Sequence, residues 1–344
     1  MRPNFFHHLH PPTIPAQQAR FHYTLAAGGL ALFLMLILLA TGILEMFYYV
    51  PTPDQAGSSI QALTFLVPYG GLVRNLHFWS AQFLVLFCLV HLLRVILTGA
   101  YAPPRRFNYL LGMGLLVLAV LLDFTGYVLR WDEGIRWALV TGTNLVKSIP
   151  VLGNDLYLVL IGSPQPGPAT LLRFYDWHIF GLSLVVLILG GWHLFRVRRD
   201  GGIAVPPPAM RQDQTRITRF ELVRREALAM LLASTGLLLL SVFAPAPLAP
   251  PITAQSALSE TARAPWFFLW VQQLLKLGSP FLWGVVVPLA LLLLMTLIPY
   301  IFPRPSSSEL GRWFPRSGRP SQLLALAIIL TILALTIVAL LPTS

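Results

Sequence analysis

The sequence predicts an all-α membrane protein with seven transmembrane helices, and three observations lead there. Of 344 residues, 56% are hydrophobic and 11% charged, against about 25% charged in ordinary globular proteins. The apolar residues gather into seven runs, each long enough at about 1.5 Å per residue to cross a hydrocarbon core about 30 Å thick. The formal net charge of +11 sits beside those runs, where it reads as a topology signal and not as a nucleic-acid surface.

In chain order, a polar arm (1–23) leads into a first span at 24–49. The arm is not expected to be a signal peptide, because its polar stretch is long and no small-residue cleavage site follows the span. The next spans are 76–98, 107–129 and 176–197, and with the first they make a four-helix bundle over 24–198. A proline- and charge-rich linker, 199–220, separates this bundle from a three-helix part, 221–344, whose spans are 222–244, 281–302 and 323–341.

Seventeen of the 24 Lys and Arg residues fall on one side, from Arg2 and Arg20 through Arg94, Arg105 and Arg106 to the 196–225 and 304–319 stretches. The positive-inside rule then puts the N-terminus on the cytoplasmic or negative side and the C-terminus opposite, as expected for a bacterial cytoplasmic membrane. Three positive-side connections, 50–75, 130–175 and 245–280, are too long for simple turns, and long ordered loops tend to carry function. The second is broken by Gly142, Pro150, Gly153, Gly162, Pro164, Pro166, Gly167 and Pro168 into short amphipathic pieces; the third holds the aromatic run Trp266-Phe267-Phe268-Leu269-Trp270.

Four of the eight histidines lie inside spans. His77 and His91 are 14 residues apart, about 21 Å along the axis and about 40° apart in rotation, so they share a face at two depths. His178 and His193 are 15 apart, about 22 Å and about 60°. Both helices run from the positive to the negative side, so His77 pairs in depth with His178, and His91 with His193. Ionisable groups inside spans usually mark function, and two facing pairs suit two bis-imidazole haems, one near each surface. The alternative is four histidines hydrogen-bonded to nearby backbone or hydroxyl groups.

Glycines repeat the histidine interval: Gly28 and Gly42 in span one, Gly112 and Gly126 in span three. Positions without side chains would let a haem edge approach, although small-residue packing explains any one pair. Zinc is a poor rival, since no carboxylate or thiolate completes a set of ligands. Cys88, the one cysteine, lies in an apolar run and reads as a core residue; no CxxCH offers covalent attachment of a c-type haem. Arg74 and Arg94 flank the histidines and suit either haem propionates or interface anchoring.

Several stretches together resemble the cytochrome b/b6 family, in the form of cytochrome b6 followed by a subunit IV-like part. They are Ala40-Thr41-Gly42 with Phe47 to Thr52, Arg74 to Ala81, His91 to Val95 with Leu97-Thr98-Gly99, Thr125 to Asp132, Ile149 to Gly153, and Leu172 to His178. The resemblance covers roughly 20–340, and the 15-residue interval in span four is its b6 form. It implies the haem-bearing subunit of a quinol:cytochrome c or plastocyanin-type oxidoreductase. Two non-covalent haems b would carry electrons between a positive-side quinol site and a negative-side quinone site, coupled to proton translocation. A Rieske iron–sulfur protein and a cytochrome c-like or other high-potential acceptor would be separate subunits of a homodimeric complex, with quinones and membrane lipids as further partners. Two other readings stand beside it: a di-haem anchor serving a non-Rieske partner, and a haem-free transporter or structural subunit.

Two departures from the family pattern stand out. The b6 pattern has a cysteine in the first span that holds an extra haem; the matching position is Leu34, so no covalent haem is expected. Where relatives carry Pro-Glu-Trp-Tyr, with a glutamate thought to take a quinol proton, this chain reads Arg263-Ala264-Pro265-Trp266-Phe267-Phe268, and Pro265 takes the glutamate's place. Glu260, Asp132, Glu133 and Asp176 are candidate replacements, each read more readily as a solvated loop charge; Gln272 and Gln273 lie beyond. Tyr127, Trp131, Asp132, Pro265, Trp266 and Glu260 make up the candidate quinol site, with Arg130 adding positive charge. Arg198, five residues beyond His193, suits a negative-side quinone or an anionic lipid.

Overall fold

The computed structural model describes residues 11–211, 213–252 and 263–341. Among them seven helices are long and apolar enough to cross a membrane: Ala27–Met46, Gly70–Leu97, Arg106–Leu129, Pro168–Arg199, Arg219–Phe243, Phe281–Ile301 and Arg316–Leu340. The chain is an all-α, integral multi-pass membrane protein. Its outer faces carry exposed apolar side chains such as Leu36, Ile43, Ile188, Leu231 and Leu330, as contact with lipid requires.

Each expected span is present, but spans two, four and seven begin six to eight residues before their apolar runs, at Gly70, Pro168 and Arg316. Span two starts at Gly70, directly after Tyr69 at φ 61°, so its polar first turns, with Arg74 and Asn75, are helical and buried. Span four starts at Pro168, where proline was read as loop punctuation. Proline at the first helical position lacks only an N–H that would be unpaired there anyway, and the Gly167 N–H is taken up by Thr170 Oγ1 at 3.0 Å.

Span four also contains a π-helical turn, Trp177–Gly181, which includes His178. A π turn inserts one residue into an α-helix. The 15-residue interval between His178 and His193 therefore spans nearly the same register as the 14 residues between His77 and His91.

Spans one to four form a bundle in which one packs along two and three along four. A cluster of Ile96, Tyr101, Tyr109, Met113, Met295, Ile298, Ala325 and Ile328 ties spans two and three to six and seven at one end. At that end the arm and three connections interlock. Thr13–Pro15 pairs antiparallel with Arg216–Thr218, a small ribbon that an all-helical reading does not anticipate. Gln17 Nε2 donates to the Gly311 carbonyl at 2.9 Å, Gln18 Nε2 to that of Ile203 at 2.7 Å, and the Tyr23 hydroxyl to that of Ala204. Gly311, at φ +77°, leaves no room for a Cβ between Ala204 and Tyr23.

The opposite end is built from short helices: Ala56–Phe65, Glu133–Lys147, Gly153–Ile161 and Leu269–Leu275. Ala56, Val128, Trp131, Ile135, Leu139, Tyr157, Ile161, Leu171 and Phe174 form the common core of the first three, and Leu269–Leu275 packs on span seven. Glu133–Lys147 and Gly153–Ile161 are short helices in the second connection, where the sequence predicts amphipathic pieces.

Candidate cofactor site

The four intramembrane histidines meet in two pairs. The rings of His77 and His178 lie 6.3 Å apart between centroids, and those of His91 and His193 lie 6.5 Å apart. Two imidazole nitrogens each about 2 Å from one metal ion would put the ring centres about 6 Å apart. Among the described residues no group of three or more His, Cys, Asp or Glu could hold a metal ion; each pair could supply two imidazole nitrogens, a donor set that suits a haem iron.

The hydrogen bonds set the tautomers. The Thr41 hydroxyl donates to the Ile37 carbonyl at 2.7 Å, so its oxygen accepts from His77 Nδ1 at 2.9 Å. Thr125 likewise donates to the Leu122 carbonyl at 3.0 Å and lies 3.0 Å from His178 Nδ1, which also faces that carbonyl at 3.1 Å. A carbonyl only accepts, so Nδ1 of His178 carries the proton and Nε2 is left with a lone pair. Metal-ligating histidines are oriented in this way by a partner for the other ring nitrogen. His193 Nδ1 is buried, with the Asn108 backbone as its nearest polar partner.

Each histidine is backed by one of the four glycines. A Cβ built on Gly126 would stand 2.7 Å from His178 Cε1, on Gly28 3.1 Å from His91 Cε1, on Gly42 3.2 Å from His77 Cε1, and on Gly112 3.4 Å from His193 Cε1. The sequence reading gave these glycines the task of admitting a cofactor edge. In the structure each bare face meets the imidazole itself, which is why glycine and histidine share an interval. The hydroxyls beside two of them were missed, and the repeated Thr-Gly of Thr41-Gly42 and Thr125-Gly126 was the signal that could have found them.

Of the flanking cations, Arg74 donates to the Ala246 carbonyl at 3.2 Å and the Pro247 carbonyl at 2.5 Å. With Asn75 bonded to the Ser241 carbonyl and the Ala246 N–H, and Trp79 bonded to the Ala244 carbonyl, it stitches span two to the end of span five. Arg94 stacks on Tyr23 at 4.2 Å and donates to the Tyr23 carbonyl, while its Nη2 is buried without a partner. Burial pushes the Tyr23 phenol up, against the pull of the Arg94 charge. Cys88 is a half-buried free thiol, Leu34 is buried, and Arg198 is exposed at the end of span four.

The remaining candidates gather at the end built from short helices, except Glu260, which lies outside the described residues. Tyr127 donates to the Gly134 carbonyl at 2.8 Å, and Trp131, buried at φ 44°, turns the chain out of span three. Asp132 is 1% exposed and caps Glu133–Lys147. Its carboxylate accepts from Arg130 at 2.6 and 2.9 Å and from the Ile135 and Ala249 N–H groups, each at 3.2 Å. Those oxygens are occupied as a structural clamp. Asp132→Ala, which removes the buried carboxylate from half-buried Arg130 and leaves the Ile135 and Ala249 N–H groups without their acceptor, should cost about 3 kcal/mol of stability, read as earlier loss of structure in chemical unfolding; an unchanged midpoint would contradict the clamp.

Ala264 N–H donates to Gln272 Oε1 at 3.0 Å, and Trp266 Nε1 donates to Gln82 Oε1 at 2.7 Å. A cavity of about 470 Å³ opens between Glu133–Lys147 and the 275–280 turn, lined by Trp137, Val140, Asn144, Leu145, Leu275 and Pro280 among others. Sequence reasoning passed over Gln82 and Asp123, although Asp123 is the lone charge between Arg106 and Arg130.

Seven membrane-spanning helices holding two facing histidine pairs define a multi-pass protein with two bis-histidine sites. The family model for Cytochrome b/b6/petB matches residues 15–201. Cytochrome b6 of Heliomicrobium gestii is 36% identical over 192 residues, which is 56% of this chain and 88% of that protein. Cytochrome b6 of Synechocystis sp. is 39% identical over 174 residues, 51% of this chain and 78% of that protein. The chain belongs to the cytochrome b/b6 family, and that membership implies haem b. A solved structure described as a hyperthermophilic respiratory Complex III shares the fold at a TM-score of 0.74 and 20% identity, covering 92% of this chain and 91% of the other.

Proposed function

We propose that the chain is the haem-bearing membrane subunit of a quinol-oxidising complex of the kind named for its structural relative. One observation carries this reading: two histidine pairs at two depths, each ring backed by a glycine. His77 and His178 would hold one non-covalent haem b near the positive side, and His91 and His193 a second near the negative side. When bound, the two haems supply a one-electron path across the bilayer, where moving one charge against 100 mV involves about 2.3 kcal/mol.

The chain's own residues do the positioning. Thr41, Thr125 and the Leu122 carbonyl hold ring nitrogens so that Nε2 faces inward. Gly28, Gly42, Gly112 and Gly126 let the rings sit close to the neighbouring helix. The unpartnered Arg94 Nη2 is a donor for a propionate at the negative side, and Arg74 serves the other level. The positive-side quinol site would lie at the cavity beside Glu133–Lys147, at the end of the bundle that also carries Tyr127, Trp131, Pro265 and Trp266. Arg198 would face a quinone or lipid headgroup on the negative side. The N-terminus is assigned to the cytoplasmic side, and the 199–220 linker divides the di-haem bundle from the three-helix part. A Rieske protein and a high-potential acceptor would complete a homodimeric, proton-translocating complex.

The test is quinol oxidation by the complex purified from its own membranes. Turnover of a short-chain quinol that reduces the b haems and a high-potential acceptor is the expected result. A preparation with intact haems that never takes electrons from quinol would refute the assignment.

A further inference from the structure

Asp123 is a carboxylate inside the membrane, one helical turn before Gly126, on a span with no other charge between Arg106 and Arg130. Both its oxygens accept from Gln82 Nε2 of span two, at 3.0 and 3.3 Å. The same Gln82 amide accepts from Trp266 Nε1 at 2.7 Å. A chain of hydrogen bonds therefore runs from the positive-side connection, across span two, to a carboxylate in span three. The next residue, Phe124, packs its ring 5.7 Å from Phe268, and against Gly142 of Glu133–Lys147, where an added Cβ would lie 3.4 Å from the Phe124 ring. Phe124 thus meets both the helix that lines the cavity and the 266–268 turn, and Asp123 precedes it on span three, joined to the same turn through Gln82 and Trp266. A charge in a span is costly, and such residues mark proton paths.

We infer that Asp123 is the carboxylate that takes a proton from the quinol at the positive-side site, held ready by Gln82. The inference rests on the quinol-oxidising reading above. Oxidation of a quinol to a quinone releases two electrons and two protons. The electrons would pass to one-electron acceptors of the complex, a high-potential partner and a haem that His77 and His178 would hold. The Asp123 carboxylate forms one new O–H bond as a quinol O–H breaks, and later passes that proton to the positive-side water; the second proton leaves with the electron bound for the partner. Asp132, the nearest other acid in the chain, has its oxygens occupied by Arg130 and two backbone N–H groups. Asp123 is half-buried and bonded to a single neutral amide, which leaves acceptor capacity on the carboxylate.

Asparagine separates this role from a structural one, because its side-chain oxygen still accepts from Gln82 and only the titration is lost. In the purified complex, Asp123→Asn should keep both haems in the absorption spectrum while kcat for a short-chain quinol falls about 100-fold with KM nearly unchanged, the scale of general base catalysis; Asp123→Glu should recover most of the rate. Wild-type turnover in Asp123→Asn would overturn the inference and leave the function standing. A wild-type complex inert to quinol would overturn both. Should Asp123→Asn fail to assemble its haems, the wild-type complex is treated with dicyclohexylcarbodiimide, an apolar reagent that traps protonated carboxyls as N-acylureas. Turnover lost in step with modification of Asp123 upholds the inference; turnover that survives the modification, or an Asp123 the reagent does not reach, overturns it.

Discussion

His91→Leu should yield a protein with one haem in place of two. Leucine fills the space but offers no lone pair, and His193 alone cannot supply both ligand positions. The other pair, His77 and His178, lies about 21 Å away along the same helices, with its own hydrogen bonds to Thr41, Thr125 and Leu122. Sites so far apart and without shared partners behave independently. The haem-to-polypeptide ratio of the purified variant should fall from about two to about one, and His193→Leu should give the same spectrum. Equal loss at both levels, in a variant that remains helical and monodisperse, would break the pairing.

Gly126→Ala should be the most damaging of the four glycine substitutions. Its methyl would sit 2.7 Å from His178 Cε1, closer than real Cβ contacts allow, and the ring has little freedom to yield. His178 belongs to the π turn and is tied through Nδ1 to the Leu122 carbonyl and the Thr125 hydroxyl, both on the helix that carries the new methyl. Overpacking of this kind costs about 1–3 kcal/mol, or roughly fivefold to a hundredfold in haem affinity at about 1.4 kcal/mol per decade. Gly112→Ala, with its Cβ at 3.4 Å from His193 Cε1, should be tolerated with both haems kept. Haem titration of the two variants compares them directly; a Gly112→Ala defect as large as that of Gly126→Ala would mean that the glycines act on something other than the rings.

The long-range plan of the protein was legible because it follows from counting. Apolar runs near twenty residues give the spans, and the 14-residue interval of His77 and His91 gives two depths. What escaped was local backbone chemistry. The 15-residue interval in span four reads from sequence as a rotational mismatch of about 60°, and nothing in Trp177-His178-Ile179-Phe180-Gly181 announces the π turn that removes it. Pro168 and Gly167 look like loop residues until they are seen to start a helix. Asp132 looked like a free loop acid because its partners at Ala249 and Ile135 are brought to it only by folding. Asp123 was visible as a lone charge in an apolar run, and its connection to Trp266 depends on Gln82, which lies 41 residues away in sequence. The pairing of Thr13–Pro15 with Arg216–Thr218 joins segments about two hundred residues apart and has too few residues to leave a period in the sequence.

The central claim is that this chain carries two non-covalent haems b, one on each histidine pair. The direct measurement is a pyridine haemochrome spectrum of the detergent-purified chain, with haem counted per polypeptide before and after extraction with acidified acetone. Two b-type haems per chain, both extracted and leaving none with the polypeptide, is the predicted result. A folded preparation without haem, or with haem that stays on the denatured chain, would contradict it.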